Sequence, residues 1–479
     1  MTKRIMLYTM MILLNLAAAA IIGMVLLDIT FSLPLSPIEK NVRQSAVTIR
    51  NEGTYPKVTK YATSQLDNFT DSIMMLEAAD ASEVSTIEKT VFVYHGVIDG
   101  LDRAEGLAAH FIDGKDFTRE YDYSRYWHGY LIILRPMLSL FGYSTIRIIN
   151  GIVQLLVICV ISVLMYRCGL KNVIVPYVIS YMMLMPIAMS KSMQFSVCFY
   201  VLSLGVILLL ATCKHCNSNH KDTKAGRSDT KRSECAYRST DTERRYELCA
   251  LFIFLNMGIL TAYFDLLTYP IATFGVPAVI YLLLTETEEL MPRFIRLARN
   301  GILWCVGYGC MWISKWILGS LLTGINLFDN ATNVFKQRTA AESADGLERF
   351  GIYTVLRSNY GTFLKTPVTL IMILYFIYVV IRVIASIRSR RVTFGDTVRH
   401  AIPYVILALV PAVWYIFARN HSAIHYWFTN KACIVTALAG MCGLLYAANA
   451  DVKMDVKMEA NDGRSNKNVR HNNNETGDL

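Results

Sequence analysis

The sequence predicts an all-α, polytopic helical membrane protein of about ten transmembrane helices, with a large loop on the outer face after the first span. Three observations carry this fold class. Hydrophobic residues make up 54% of the 479 residues and charged ones only 18%, and the mean hydropathy is +0.36. Apolar runs of about 18 or more residues recur, the length that crosses about 30 Å of hydrocarbon. The net charge of +10 comes from short basic connections at 214–245, at Arg293, Arg296 and Arg299, and at Arg388, Arg390, Arg391 and Arg399. Connections of that kind stay in the cytoplasm. The excess therefore records topology, and no nucleic-acid partner is expected.

The first run, 5–28, follows Lys3 and Arg4. It is longer than a signal-peptide core and lacks a small-residue cleavage site, so it reads as a retained anchor. With the N-terminus inside, span one leads to an outer segment at 30–143. Spans follow at 146–166, 172–189 and 193–212, then a basic inner linker at 213–246. The second half carries spans at 248–264, 270–285, 300–322, 367–387, 401–418 and 431–448. Its outer loops lie at 265–269, 323–365 and 419–430, and a polar tail at 449–479 lies inside. The chain thus divides into an N-terminal module (1–212), the linker, a C-terminal membrane module (247–448) and a tail expected to be disordered. All eleven cysteines fall in spans or on the inner side, so the outer region must hold together without disulfides. Cys213 and Cys216, near His220 and Cys235, have some zinc-like spacing, but their polar surroundings offer no core for a metal domain.

Chemistry concentrates on the outer side. Asp67 and Asp71 are four residues apart before an apolar, Ala-ending run, so on a helix they share one face. Two such carboxylates divide roles when burial raises one pKa, although either one also suits a helix cap. Asn68-Phe-Thr70 and Asn330-Ala-Thr332 match the glycan-acceptor pattern. Lys315 is the clearest charge within a span; such a cation needs a partner or a water-filled cavity. It pairs structurally or holds an anionic headgroup. Arg419, His421 and His425 precede an aromatic run, Tyr426-Trp-Phe428, at a span entrance. Cationic and hydrogen-bonding groups there suit a phosphate, the aromatics suit the headgroup belt, and an ordinary interfacial loop is the alternative. Asp265, before Pro270, suits an acceptor hydroxyl or a turn. Arg125, His128 and Arg135 complete the anion-holding candidates, though Arg near a span end also serves as an anchor.

The stretch Tyr126-Trp-His-Gly-Tyr130, running through Arg135-Pro136 to Phe141-Gly-Tyr-Ser144 and Arg147, resembles a part of the GT-C glycosyltransferases of mannosyltransferase-like and aminoarabinose-transferase-like type. Those share an aromatic, Pro-containing entry, an apolar surface helix, a Phe-Gly-x-Ser-like turn and an Arg opening the next span. The order of elements matches over roughly residues 1–210, and the later half matches in layout only. The resemblance implies transfer of a hexosyl or pentosyl group from a polyprenyl-phosphate donor, on the outer face of a bacterial plasma membrane, to a cell-surface polymer or glycolipid. It also implies an outer-loop acid as general base. The family acid stands close behind the first span, where this chain has Asp28 alone. Asp71 followed by its helix is the better match, then Asp67, then Asp28. Arg125, His128, Arg135, Lys315, Arg419, His421 and His425 would hold the donor phosphate and Asp265 the acceptor. A divalent cation, Mg²⁺ or Mn²⁺, serves some members, yet no ligand cluster in this sequence demands one. A non-catalytic transporter of lipid-linked sugar or polysaccharide, or an assembly component, is the alternative class.

Overall fold

The computed structural model describes residues 2–221, 229–285, 289–343, 345–389 and 391–449, with side chains described from residue 5 onward and outside 214–243 and 449. The Cys216, His220 and Cys235 side chains and the tail at 450–479 lie outside the described residues. Helix α1 (Thr2–Phe31) opens the chain. The segment after it holds α2 (Leu35–Glu52), α3 (Asn68–Ala78), α4 (Thr86–Phe92), β1 (His95–Val97), α5 (Arg103–Phe111), β2 (Arg119–Tyr121) and α6 (Leu131–Leu140). There follow α7 (Tyr143–Arg167), α8 (Ile174–Met183), α9 (Pro186–Lys191), α10 (Met193–Lys221), α11 (Asp229–Phe264), α12 (Ala272–Leu284) and α13 (Leu290–Thr323). The chain continues with α14 (Phe328–Thr339), α15 (Ile352–Leu364), α16 (Val368–Arg388), α17 (Phe394–Phe417), α18 (Arg419–Ile424), α19 (Tyr426–Thr429) and α20 (Ile434–Asn449).

Among the described residues, eight stretches are long and apolar enough to cross a membrane: α1, α7, α10, α11, α13, α16, α17 and residues 426–448. The protein is therefore a multi-pass, mainly helical membrane protein. The expected spans at 172–189 and 270–285 form shorter pieces. The first breaks where Met185, at φ 58°, stands before Pro186, because a proline ring disfavours helical backbone in the residue ahead of it. The second is the 13-residue helix α12. In α16 the described buried residues are Val379 and Val383, while Leu370, Ile371, Leu374 and Ile381 are exposed. Such a helix finds its apolar solvent in lipid, since its backbone groups are satisfied internally.

The segment between the first two spans packs by a different logic. In α2, Ile38, Val42, Ala46 and Ile49 are buried and recur at helical spacing. That stripe covers α5 and α6, leaving a polar face outside. Asp102 and Glu105 form a capping box that starts α5. The antiparallel hairpin pairs His95 with Tyr121 and Val97 with Arg119, and leads the chain to the aromatic stretch before α6.

Two glycines fix the centre of the bundle. A Cβ on Gly258 of α11 would lie 2.1 Å from the Trp304 carbonyl oxygen, and one on Gly307 of α13 would lie 2.1 Å from that of Leu255. The two backbones thus approach as closely as small residues allow, the usual source of van der Waals stability between helices in lipid. Gly309, with nothing within 4 Å of its ideal Cβ, is the control. Gly307→Ala should lower the thermal midpoint in nanodiscs by several degrees, reflecting about 1–3 kcal/mol of overpacking. Gly309→Ala should leave it unchanged or slightly raised.

Candidate functional site

The site begins with the way α3 starts. Asp67 is its N-cap: the carboxylate accepts from the Thr70 backbone N–H (3.1 Å) and hydroxyl (2.9 Å), satisfying one of the orphan donors of the first turn. One turn on, Asp71 is 1% exposed. Its carboxylate accepts from the Tyr143 hydroxyl at 2.6 Å, the Ser192 hydroxyl at 3.3 Å and the Gln194 backbone N–H at 3.4 Å. The segment before the first span's successor therefore meets α7 and the α9–α10 junction at this one side chain. Burial raises the Asp71 carboxyl to about 7, against the lowering effects of Tyr143 and Arg147. Asp67 is raised to about 6, again by burial, with its Thr70 bonds opposing. Both are poised between charged and neutral forms near neutral pH.

Around Asp71 lies a charged layer. Arg147 pairs with Glu52 at 2.7 Å, donates to Asn68 Oδ1 at 3.1 Å and stacks on the Tyr143 ring at 4.4 Å. Asn68 in turn donates to Glu52 (3.1 Å) and to the Gly53 carbonyl (2.7 Å) and is fully buried, so it cannot present a glycan acceptor. Asn330 is exposed. Glu52, Arg147 and Lys191 also line an open groove of about 570 Å³ between α2, α7 and α9. Its other wall is apolar: Ile148, Ile152, Leu155 and Ile187 line it and are exposed on the flank of α7 and α9. The result is a groove whose lining combines the Glu52–Arg147 pair and Lys191 with exposed apolar side chains.

The remaining candidates are distributed differently. Asp28 stays in the last turns of α1, part-buried, and its Oδ1 has no hydrogen-bond partner. His128, at φ 57°, is fully enclosed: its ring meets the Tyr130 hydroxyl and the Tyr123 carbonyl, each at 2.8 Å, and Glu77 at 3.3 Å. Tyr130 donates to Glu77, beside which His95 lies with neither ring nitrogen partnered. Arg135 is 2% exposed and donates to the carbonyls of Thr30 and Ala78, the C-terminal ends of α1 and α3. Lys315 is fully buried and donates to the Thr90 carbonyl in the last turn of α4 at 2.8 Å. Asp265 is spent on a turn, accepting from the Thr268 N–H and hydroxyl. Burial raises it to about 6. Arg125 stacks on Tyr123 and Tyr126. His421 and His425 sit together, ring centroids 4.8 Å apart, and the half-buried Arg419 adjoins them in α18.

Arg135 and Lys315 therefore hold helix ends together, and Asp71 lies behind the groove-lining Arg147, to which the Tyr143 ring links it. Sequence reasoning missed Glu52, Lys191, Ser192, Gln194, Glu77 and His95, none of which sits in a recognisable spacing. Tyr143 and Arg147 were marked by the turn motif. Lys431, fully buried, donates to the carbonyls of Thr63 and Leu184 at 3.1 Å each. Among the described residues no group of three or more His, Cys, Asp or Glu side chains is placed to hold a metal ion. No protein family, curated protein or solved structure matches this chain.

The raised Asp71 pKa makes stability depend on pH in a fixed direction. Below about pH 4 the group is protonated in folded and unfolded states alike. As pH rises toward 7 the unfolded chain loses the proton first, and stability falls, by roughly 4 kcal/mol at most. Asp71→Asn keeps an acceptor for Tyr143 and never ionises. Its thermal midpoint should exceed that of the wild type at pH 8, and the gap should close as pH falls from 7 to 4.

Proposed function

We propose that the protein is an integral-membrane glycosyltransferase of GT-C type, moving a sugar from a polyprenyl-phosphate donor to a cell-surface polymer or glycolipid acceptor. The single observation that carries this reading is a buried carboxylate, Asp71, raised to about 7 by burial and bonded by Tyr143, on whose ring Arg147 of an open, partly apolar groove stacks. An anionic headgroup with a long apolar tail is the ligand such a groove fits, the head on Arg147 and Lys191 and the chain along Ile148, Ile152 and Leu155. The topology that goes with it has ten spans, with the short helices α8 and α12 completing the crossings, both termini in the cytoplasm of a bacterial cell and the site on the outer face. The basic connections support that orientation.

The reaction is a direct displacement. Asp71 takes the proton of an acceptor hydroxyl as its oxygen attacks the anomeric carbon. The bond from that carbon to the lipid phosphate breaks, and its electron pair leaves with the phosphate. Arg147 and Lys191 stabilise the charge, so no acid is needed for departure. One displacement inverts the anomeric centre. Tyr143, Ser192 and the Gln194 N–H aim the carboxylate and stabilise its ionised form before it takes the proton. Asp67 sets the start of α3 and adds a second negative charge nearby, which helps keep Asp71 basic.

The test is release of free polyprenyl phosphate from a panel of polyprenyl-phosphate sugars by purified protein in nanodiscs. Asp71→Asn should lower turnover by at least about a thousandfold while the protein stays folded. Asp67→Asn should cost less, through a loosened α3. The wild-type kcat/KM should rise with pH and level off above about 7. Donor binding without turnover, with acceptors supplied, would favour a transporter or assembly component instead.

A further inference from the structure

A second cluster lies at the same end of the bundle, made by α14, α18 and the 264–270 turn. Asn420 fixes it. Its N–H donates to the Ala340 carbonyl at 3.1 Å and its amide to Glu342 at 2.7 Å, which holds the end of α14 and Arg338 against α18. The Asp265 turn places Leu267 at φ 65°, and the His421 Nε2 lies 2.7 Å from the Leu267 carbonyl. A carbonyl only accepts, so His421 carries its proton on Nε2 and its Nδ1 is an acceptor. The His425 Nε2 faces Arg338 Nη1 at 3.3 Å. A guanidinium only donates, so His425 carries its proton on Nδ1. Both Nδ1 atoms are buried without a partner. The neighbouring rings thus leave one acceptor and one donor unused.

Positive charge without a carboxylate partner lies beside them. Arg338, which His425 faces, and Arg419, two residues before His421, have no carboxylate within ion-pair distance among the described residues, and the Nε of each is buried without a partner. Burial and the Arg338 charge hold the His421 imidazole down at about 3 and that of His425 well below its ordinary value, so both rings stay neutral. Two guanidiniums and a neutral donor–acceptor pair offer more contacts than a small bare anion can fill. They suit a group bearing both hydroxyls and a negative charge.

We propose that His421, His425 and Arg338, with Arg419 two residues before His421, form a recognition subsite for an acidic sugar. A hydroxyl donates to His421 Nδ1 and accepts from His425 Nδ1–H, and the carboxylate or phosphate meets the guanidiniums. The ring of Tyr55 packs edge-on to Trp427, next to His425, and stacks on Phe69 in the first turn of α3. The subsite therefore stands across Tyr55 from Asp67. What it holds is an extension of the acceptor beyond its reacting hydroxyl. This rests on the transferase reading and gives its acceptor a chemical class: an acidic glycan.

The experiment uses the full chain in nanodiscs with ¹⁵N-labelled histidine, and glucuronate, glucose and inorganic phosphate as probes. The free protein should show His421 as the Nε2–H tautomer and His425 as the Nδ1–H tautomer. Glucuronate should shift both Nδ1 resonances. Glucose and inorganic phosphate, which each lack half of the recognised pair of groups (the carboxylate or the sugar hydroxyls), should bind at least about tenfold more weakly. Arg338→Gln should weaken glucuronate at least about tenfold. His421→Gln, which keeps a donor for Leu267 but lacks the Nδ1 acceptor, should do the same without lowering the thermal midpoint. Lys191→Gln, in the groove, should not change it. Inverted tautomers, unchanged affinity in both variants, or no glucuronate binding at roughly millimolar concentration would overturn the subsite. Binding that follows these rules in a protein that releases no polyprenyl phosphate would keep the subsite and remove the transferase.

Discussion

Helix ends in this protein are closed by side chains from remote parts of the chain, and the loop-rich end of the bundle depends on it. A helix leaves its last carbonyls without intrahelical partners, and they carry the negative end of its dipole. Here buried cations meet them. Arg135 reaches the ends of α1 and α3, Lys315 the end of α4, and Lys431 the end of α8 together with the 3₁₀ turn at Thr63. None of these cations uses a carboxylate as its main partner. Stripping one away would leave carbonyls unsatisfied in a low-dielectric interior, at about 1–3 kcal/mol each. Neutral donors make further bonds between segments, to carbonyls within helices: the Trp127 indole bonds that of Met311 and the Tyr263 hydroxyl that of Gly23.

That arrangement explains how a segment without disulfides becomes rigid enough to carry a buried carboxylate. Helix α3 is capped at its start by Asp67 and gripped at its end by Arg135, so Asp71 between them has little freedom. Its partners then come from α7 and the α9–α10 junction. A carboxylate held this way is costly to ionise, and the cost is what keeps it basic near neutral pH. Stability and chemistry pull in opposite directions at this residue, as they commonly do at strained or desolvated sites.

Much of the site was legible in residue spacing. The four-residue step from Asp67 to Asp71 placed both on one helical face, and the Gly142-Tyr143-Ser144 turn with Arg147 marked the start of α7. The roles were less legible. Nothing local distinguishes Asp67, whose oxygens are spent on a cap, from Asp71, whose oxygens meet three other segments. Lys315 and Arg135 read equally well as ligand-binding or structural, because the carbonyls they satisfy lie 225 and 57 residues away. His421 and His425 were visible as a pair. The free nitrogen on each follows only from Leu267 and Arg338, which approach from other elements.

The sequence by itself determined the class of protein, because apolar length and the placement of basic residues respond to the bilayer, a constraint that acts on each segment alone. It determined where most long helices run. Tertiary structure decided which carboxylate Tyr143 and the α9–α10 junction enclose, which cations meet helix ends, and which ring nitrogens stay free. Those outcomes depend on hydrogen-bond partners brought together from distant positions in the chain, and a partner that distant leaves no mark in local periodicity.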